Sequence, residues 1–136
     1  MRVLLDTHIF AWYVNEPESL SQNVKALIDD YENQVYVSSE TLRELVILWR
    51  SKREFRTWWK DSVEMLRSVE EHYFQILYLH QEHYERCARL ELAPGHNDPA
   101  DHLIIATALV NAMPLISADT KFPFYRNQGL DLIKNE

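Results

Sequence analysis

Short apolar runs alternate with amphipathic stretches along most of this chain, which is the pattern of an α/β protein. Residues 2–6 predict a first strand, and the spacing of apolar positions over residues 7–14 predicts a short helix directly after it. Residues 34–38 and 73–79 predict two further strands because they are rich in β-branched and aromatic residues. Strands and helices that follow one another in this way predict a mostly parallel sheet with helices on both faces.

The remaining pattern completes this α/β arrangement. Further helices are predicted over residues 22–31, with Ser21 as the N-cap, and over 39–52, 54–69, 81–92 and 99–113; further strands are predicted over 114–117 and 130–133. The length of 136 residues predicts one domain that covers residues 1–136. The chain has only two glycines, which excludes glycine-rich phosphate loops and long flexible linkers.

Net charge argues against a protein that coats nucleic acid without specificity, because it is −7 at neutral pH. The charge is nevertheless uneven, since residues 43–60 carry six basic side chains against two acidic ones, with aromatic side chains interleaved. This stretch has two interpretations: a solvated rim on an amphipathic helical hairpin, or an edge that contacts phosphates or an acidic partner.

Compartment is indicated by the lone cysteine and by the length of the apolar runs. Cys87 has no partner for a disulfide, which favours a reducing cytoplasm. No apolar run reaches the roughly 18 residues that a membrane span needs, and the first residues become charged too early for a signal peptide. We therefore expect a cytoplasmic protein without a membrane partner.

Four carboxylates carry the clearest chemical signal. Asp6 ends the first predicted strand, and Asp119 closely follows the strand predicted over residues 114–117. Glu44 and Asp101 each open the apolar part of a helix that starts from the same side of the sheet. Because ligand sites of parallel sheets lie beyond the carboxyl ends of the strands, the four acids are expected to converge there. Converging carboxylates repel one another, and a hard divalent cation relieves that repulsion.

Each acid also has a purely structural interpretation. Asp6 is placed to cap the helix after it, Asp101 to favour the dipole of its own helix, and Asp119 to form a turn. Asp98 precedes a proline at the first helical position, which predicts an N-cap. Glu44 is harder to explain in this way because five apolar residues follow it. Taken jointly, four acids at one edge favour a metal site.

Histidines offer no zinc-like spacing in this sequence. We predict that all six are surface residues or make local hydrogen bonds: His8, His72, His80, His83, His96 and His102. A site with oxygen ligands alone points to Mg²⁺ or Mn²⁺.

Four segments centred on the acids follow one another along the whole chain. They are LLDTH at residues 4–8, SSETLREL at 38–45, HNDPAD at 96–101 and LISADTKF at 115–122. Together they resemble the four motifs of the PIN-domain ribonucleases, and in particular the VapC-type toxins of bacterial toxin–antitoxin pairs. Two positions depart from the family pattern: Ala100 replaces the common Phe, and His102 stands where many members have Arg. The second change removes a positive charge near the site and bears on RNA preference.

The resemblance implies both a fold and an activity. The fold would be a three-layer α/β arrangement of the PIN type, with about five strands between helices. The activity would be metal-dependent endoribonuclease cleavage that leaves a 3′-hydroxyl and a 5′-phosphate. Its ligands and catalytic acids would be Asp6, Glu44, Asp101 and Asp119, which would hold Mg²⁺ or Mn²⁺. Thr7 and Ser117 are expected to position water or phosphate oxygens, and Asp98 to cap its helix behind the ligands.

The resemblance also implies partners. VapC-type toxins are inhibited by a small antitoxin whose tail lies across the active site, and homodimers are typical. Contacts to the RNA backbone are expected from Arg43, Arg50, Arg53 and Lys121. The aromatic stretch over residues 49–59 suits either a partner contact or a core between two helices, and the sequence leaves both open. The alternative to an enzyme is a PIN-like module that binds RNA or protein with little or no cleavage.

Overall fold

A five-stranded parallel sheet forms the centre of the computed structural model, which describes all of residues 1–136. Its strands are β1 (Arg2–Leu5), β2 (Gln34–Ser38), β3 (Gln75–Leu77), β4 (Leu115–Ser117) and β5 (Leu132–Lys134). They lie in the order β3-β2-β1-β4-β5, and every neighbouring pair is parallel. The predicted α/β class is therefore confirmed.

Helices make up most of the remaining chain. The α-helices are α1 (Thr7–Asn15), α2 (Gln22–Asp29), α3 (Ser39–Ser51), α4 (Arg53–Trp58), α5 (Ser62–Glu71), α6 (Gln81–Ala88) and α7 (Pro99–Val110). Two 3₁₀ helices cover Pro17–Ser19 and Phe122–Gln128. No helix combines the length and the apolar composition that crossing a membrane would require.

Strand β1 separates two hydrophobic cores because its side chains alternate between the faces of the sheet. Val3 and Leu5 belong to the core that helices α1 to α5 cover. Leu4 belongs to the other core, which residues of α7 and of the second 3₁₀ helix complete. All three side chains are fully buried, as expected for a central strand. The protein thus has the predicted three layers.

The helix predicted over residues 54–69 is wrong as a single element, because the chain forms α4 and α5 there. Trp59 is extended between them and inserts its ring into the core, where it stacks on Phe10 at 6.1 Å. Asp61 then caps α5, since its Oδ1 accepts a hydrogen bond from the Val63 N–H at 2.7 Å. Burial of Trp59 and the Asp61 cap together explain the break.

Other boundaries differ from the prediction by a few residues. Tyr73 has a left-handed φ of 63°, so β3 begins only after it. Ala112 has a φ of 49°, and α7 has already ended at Val110. The second 3₁₀ helix was not predicted, and β5 starts two residues later than expected, after it.

One edge of the sheet gathers the ends of several elements. Strands β1, β2 and β4 finish there, and α1 and α3 begin directly after β1 and β2. Helix α7 also begins there, because its other end leads into β4. This carboxyl edge is where the predicted acids lie.

Candidate functional site

An open cavity of about 250 Å³ lies at the carboxyl edge, and most of its wall is acidic. Its lining residues are Asp6, His8, Trp12, Glu44, Asp98, Asp101, Ala118 and Asp119. All four acids singled out from the sequence are among them, together with the predicted helix cap. No lysine or arginine lines the cavity, so its potential is strongly negative.

Asp6 is buried and held by two hydrogen bonds. Its Oδ1 accepts from the Thr7 N–H at 2.8 Å, which makes it the N-cap of α1. Its Oδ2 accepts from the Ser117 hydroxyl at 2.7 Å. Burial raises the pKa of Asp6 to about 6, although both hydrogen bonds favour the ionised form and oppose this shift. Asp6 is therefore rigid and lies in a site that disfavours its charge.

Glu44 lies in the second turn of α3 and has a free oxygen. Its Oε1 is buried without any hydrogen-bond partner. Burial raises the pKa of Glu44, and the nearby charges of Asp6 and Asp98 add to the shift. Glu40, one turn earlier, contrasts with it because it forms an ion pair with Arg43. The Thr7 hydroxyl and His8 oppose this shift, but no donor reaches Oε1.

Asp101 lies in the first turn of α7 and contacts a buried histidine. Its Oδ2 is 3.0 Å from His96 Nε2, and His96 Nδ1 is 2.7 Å from the Tyr125 hydroxyl. Burial raises the pKa of Asp101 to about 8, with the charge of Asp6 as the next cause. Burial also lowers the pKa of His96. Both shifts disfavour the charged forms of Asp101 and His96. The site therefore lacks the positive charge that would stabilise an ionised Asp101.

Asp119 and Asp98 complete the wall, and both also organise the local backbone. Asp119 Oδ1 accepts from the Lys121 N–H at 2.8 Å, as the turn interpretation predicts. Asp98 Oδ1 accepts from the Ala100 N–H at 2.9 Å, which confirms the predicted N-cap of α7. Each carboxylate keeps its other oxygen free of these contacts.

Two groups of side chains bring potential ligand atoms within 4.8 Å of one another. One consists of Glu44, Asp98 and Asp101, and the other of His96, Asp101 and Asp119. Asp101 belongs to both and therefore lies at the centre of the site. From the sequence, Asp98 is assigned to the helix cap behind the ligands and not to the ligands themselves, although its spacing of three from Asp101 puts both on one helical face. That spacing is the sequence signal that could have identified Asp98 as a potential ligand.

The prediction that all histidines are surface or locally hydrogen-bonded residues is partly wrong. His83 and His96 are almost fully buried, with 1% and 2% of their surface exposed. They do make hydrogen bonds, His83 with Asn111 and with the backbone of His80, and His96 with Tyr125 and Asp101. Burial of His96 depends on long-range packing that a loop sequence does not reveal.

Two hydroxyl groups expected near the reacting groups have protein partners. The Thr7 hydroxyl pairs with that of Thr41 at 2.9 Å. The Ser117 hydroxyl donates to Asp6 and accepts from the Asp119 N–H at 3.0 Å. The Ser117 hydroxyl thus positions two of the acids, and the Thr7 hydroxyl joins α1 to α3. Contact of either hydroxyl with water or phosphate stays a prediction.

The basic residues predicted to contact RNA differ in whether their side chains already have a protein partner. Arg43 is paired with Glu40 through Nε at 2.8 Å and through a second guanidinium nitrogen. Lys121 Nζ donates to the Gly95 carbonyl at 2.8 Å. Arg50 and Arg53 are exposed. Arg50 and Arg53 are therefore the more available of the four for contact with RNA.

The aromatic stretch over residues 49–59 belongs mainly to the core. Phe55 and Trp59 are buried, while Trp49 and Trp58 are partly buried against them. The Phe55 ring also lies 5.8 Å from that of His8, which lines the cavity. Helix α4 therefore contacts the wall of the acidic cavity through Phe55.

Comparison with known families gives one match over nearly the whole chain. A family model of the PIN domain matches residues 3–128. This range contains every acid of the cavity. No curated protein matches the sequence.

Solved structures with a similar fold include several toxin–antitoxin proteins. VapBC2 from Rickettsia felis, solved with a DNA fragment from its promoter, has a TM-score of 0.66 and 19% identity, and the match covers 100% of both chains. VapBC-5 from Mycobacterium tuberculosis has a TM-score of 0.64 and 22% identity, over 99% of this chain and 98% of that one. FitAcB from Neisseria gonorrhoeae has a TM-score of 0.60 and 22% identity, over 96% of each chain. At these identities the likeness demonstrates a shared fold.

Proposed function

We propose, on the premise that this chain belongs to the PIN domain family, that it is a metal-dependent endoribonuclease and the toxin of a toxin–antitoxin pair. The observation that carries the proposal is the acidic cavity, which five carboxylates line without a lysine or arginine. Within it, Glu44 Oε1 is buried and lacks a hydrogen-bond partner. Buried carboxylates in this state are unfavourable unless a cation compensates them.

The donor atoms fit a hard divalent cation. Carboxylate oxygens are the ligands that Mg²⁺ and Mn²⁺ prefer, and the proposed ligands are Asp6, Glu44, Asp101 and Asp119. Asp98 lies close enough to Glu44 and Asp101 to join them. A bound cation would also favour ionisation of Asp6 and Asp101, whose pKa values are raised to about 6 and about 8 without one.

Hydrolysis of a phosphodiester then follows from the arrangement of these residues. When bound, the cation supplies Lewis acidity that makes a water more acidic and stabilises charge on the phosphate. Asp6 keeps a fixed orientation because the Ser117 hydroxyl and the Thr7 N–H hold its two oxygens. Glu44 Oε1 has no protein donor, so its charge would be compensated by the cation that Glu44 would help to hold. The family resemblance implies products with a 3′-hydroxyl and a 5′-phosphate.

RNA would reach the cavity past α4, since no lysine or arginine lines the cavity itself. Helix α4 contacts the cavity wall through the Phe55–His8 pair, and Arg53 in α4 and Arg50 near the end of α3 are exposed. We assign backbone contacts to these two arginines first. Arg43 and Lys121 are assigned weaker contacts because each already has a protein partner.

A cognate antitoxin is the proposed partner in the cytoplasm. Among the structures with a similar fold, VapBC-5 belongs to the VapBC family of toxin–antitoxin systems, and another is a toxin–antitoxin complex from Klebsiella pneumoniae. An arginine from such a partner would pair with the carboxylates of the cavity and block it. We further propose that the chain, as one domain, forms a homodimer, with the partly exposed Trp49 and Trp58 available to either contact.

The test is cleavage of a mixed RNA pool by purified, partner-free protein with Mg²⁺ or Mn²⁺. We expect cleavage that EDTA abolishes and that Asp6→Asn removes, with 5′-phosphate ends on the products. Asparagine is chosen because it still caps a helix, so α1 stays intact. Folded protein that binds the metal but cleaves no RNA would contradict the enzyme proposal and support a binding module.

A further inference from the structure

A chain of three hydrogen bonds leads from the backbone to the central acid of the cavity. The Ala93 N–H donates to the Tyr125 hydroxyl oxygen at 3.0 Å. That hydroxyl is 2.7 Å from His96 Nδ1, and His96 Nε2 is 3.0 Å from Asp101 Oδ2. The Tyr125 and His96 side chains are almost completely buried, with 0% and 2% of their surface exposed. Water therefore cannot easily replace any of these contacts.

The direction of this chain follows from its donors and acceptors. The Tyr125 oxygen already accepts from Ala93, and its own hydrogen needs an acceptor because the hydroxyl is buried. His96 Nδ1 is the acceptor within reach. A singly protonated imidazole then carries its proton on Nε2, which donates to Asp101 Oδ2. In this arrangement every donor has an acceptor.

The loop that carries His96 is fixed on both sides. His102, in the first turns of α7, places Nε2 2.9 Å from the His96 carbonyl oxygen. Lys121 donates to the carbonyl of the preceding Gly95. The imidazole therefore keeps its position relative to Asp101, and His102 gains a structural function at the place where relatives carry arginine.

We infer that His96 is a positioning residue for the proposed metal site, holding Asp101 Oδ2 through Nε2–H and leaving Oδ1 available to hold a cation. This inference rests on the proposed function. Asp101 belongs to both groups of potential ligands, so its orientation affects the whole site. Because Nε2 carries the proton, His96 is not itself a ligand, and the site keeps oxygen ligands alone. Such a site selects Mg²⁺ or Mn²⁺ rather than Zn²⁺.

A matched pair of amide variants separates the two contacts of His96. The amide of His96→Gln reaches the position of Nε2 and restores a donor to Asp101. The amide of His96→Asn reaches the position of Nδ1 and contacts Tyr125 but not Asp101. We expect His96→Asn to weaken Mn²⁺ binding, measured by calorimetry, by about 10- to 100-fold. His96→Gln is expected to stay within a few-fold of the unaltered protein.

Circular dichroism and thermal unfolding confirm that both variants are folded before titration. Equal Mn²⁺ affinity in the unaltered protein and in both folded variants would overturn the inference and leave the proposed function intact. Equal loss in both variants would also overturn it. Absence of Mn²⁺ binding by the unaltered protein would instead remove the metal site itself.

A second measurement needs no variant. Nitrogen NMR of the histidine-labelled, Mg²⁺-loaded protein distinguishes a protonated Nε2 from a protonated Nδ1. We expect His96 to be neutral and protonated at Nε2. Protonation at Nδ1 would contradict the inference, because Nε2 would then be free to act as a ligand.

Discussion

Ser117 donates a hydrogen bond to Oδ2 of Asp6 at 2.7 Å, although 111 positions separate the two residues. Strands β1 and β4 are neighbours in the sheet, and Leu5 pairs with Ile116 directly before the two residues. The same hydroxyl accepts from the Asp119 N–H at 3.0 Å. One serine at the end of β4 thus fixes acids from two segments.

Replacing Ser117 by Ala should disturb Asp6 more than it disturbs the fold. The loss of a donor to the ionised form raises the pKa of Asp6 further, and the unfolding free energy should fall by about 1–3 kcal/mol. Mn²⁺ affinity should fall about tenfold. Ser68→Ala is the control, because Ser68 is also buried and donates to a backbone carbonyl, that of Met65. A similar loss of Mn²⁺ affinity in both variants would contradict the assignment.

Two glutamates of α3 provide a second matched pair. Glu44→Gln should reduce Mn²⁺ affinity at least tenfold, while the metal-free protein gains about 1 kcal/mol because one repelling charge is lost. Glu40→Gln should lower stability by about 0.5–1 kcal/mol through loss of the Arg43 ion pair. It should leave Mn²⁺ affinity unchanged, since Glu40 does not line the cavity. Calorimetric titration and urea unfolding measure both effects.

The metal-free protein should become less stable as pH rises from about 4 to 8. Asp101 has a pKa of about 8 in the folded protein, against an ordinary value of 3.8. Between these values the folded state keeps a proton that the unfolded state has released, so raising the pH favours unfolding. This contribution is complete below about pH 4 and is lost as pH rises through the folded pKa. For one proton the slope is at most about 1.4 kcal/mol per pH unit.

Asp101→Asn should remove the part of this slope that lies between about pH 6 and 8. Urea unfolding in EDTA at a series of pH values measures it. An unchanged slope in the variant would assign the effect to other groups. Addition of Mn²⁺ should reduce the slope in the unaltered protein, because the cation stabilises the ionised carboxylates.

The exposed arginines next to α4 should govern the salt dependence of RNA binding. Replacing Arg50 and Arg53 together by Ala should weaken binding to all RNA sequences and lower the salt slope by about 2. Lys25→Ala is the control, because Lys25 is paired with Asp29 away from the acidic cavity. Filter binding at several salt concentrations measures the slope. An unchanged slope in the double variant would place the RNA elsewhere.

The fold could largely be predicted from the sequence because its signals are local. Strand β2 matches the prediction at both ends, since its Val-Tyr-Val core has strong β propensity and Ser38 caps the helix after it. The alternation of strands and helices then fixes which elements end at the carboxyl edge. For this reason the four acids can be assigned to one edge from the sequence alone.

Features that depend on distant contacts could not be predicted. His96 reaches Tyr125 across 29 positions, and neither residue's surroundings reveal burial of the other. Trp59 breaks the helix predicted over residues 54–69 because the core beside Phe10 accepts its ring. Glu40 and Glu44 share one face of α3, and their separate environments depend on what packs at each turn of that face, since only Glu44 lines the cavity.

The most direct test of the metal site is anomalous diffraction from crystals grown with Mn²⁺. We predict an anomalous peak in the cavity at the carboxyl edge, about 2.0–2.6 Å from carboxylate oxygens that include those of Asp101. The peak should be absent from crystals of Glu44→Gln and present in those of Glu40→Gln. No peak in the cavity of the unaltered protein at millimolar Mn²⁺, or a peak bound elsewhere, would contradict the proposal that these acids hold the catalytic cation.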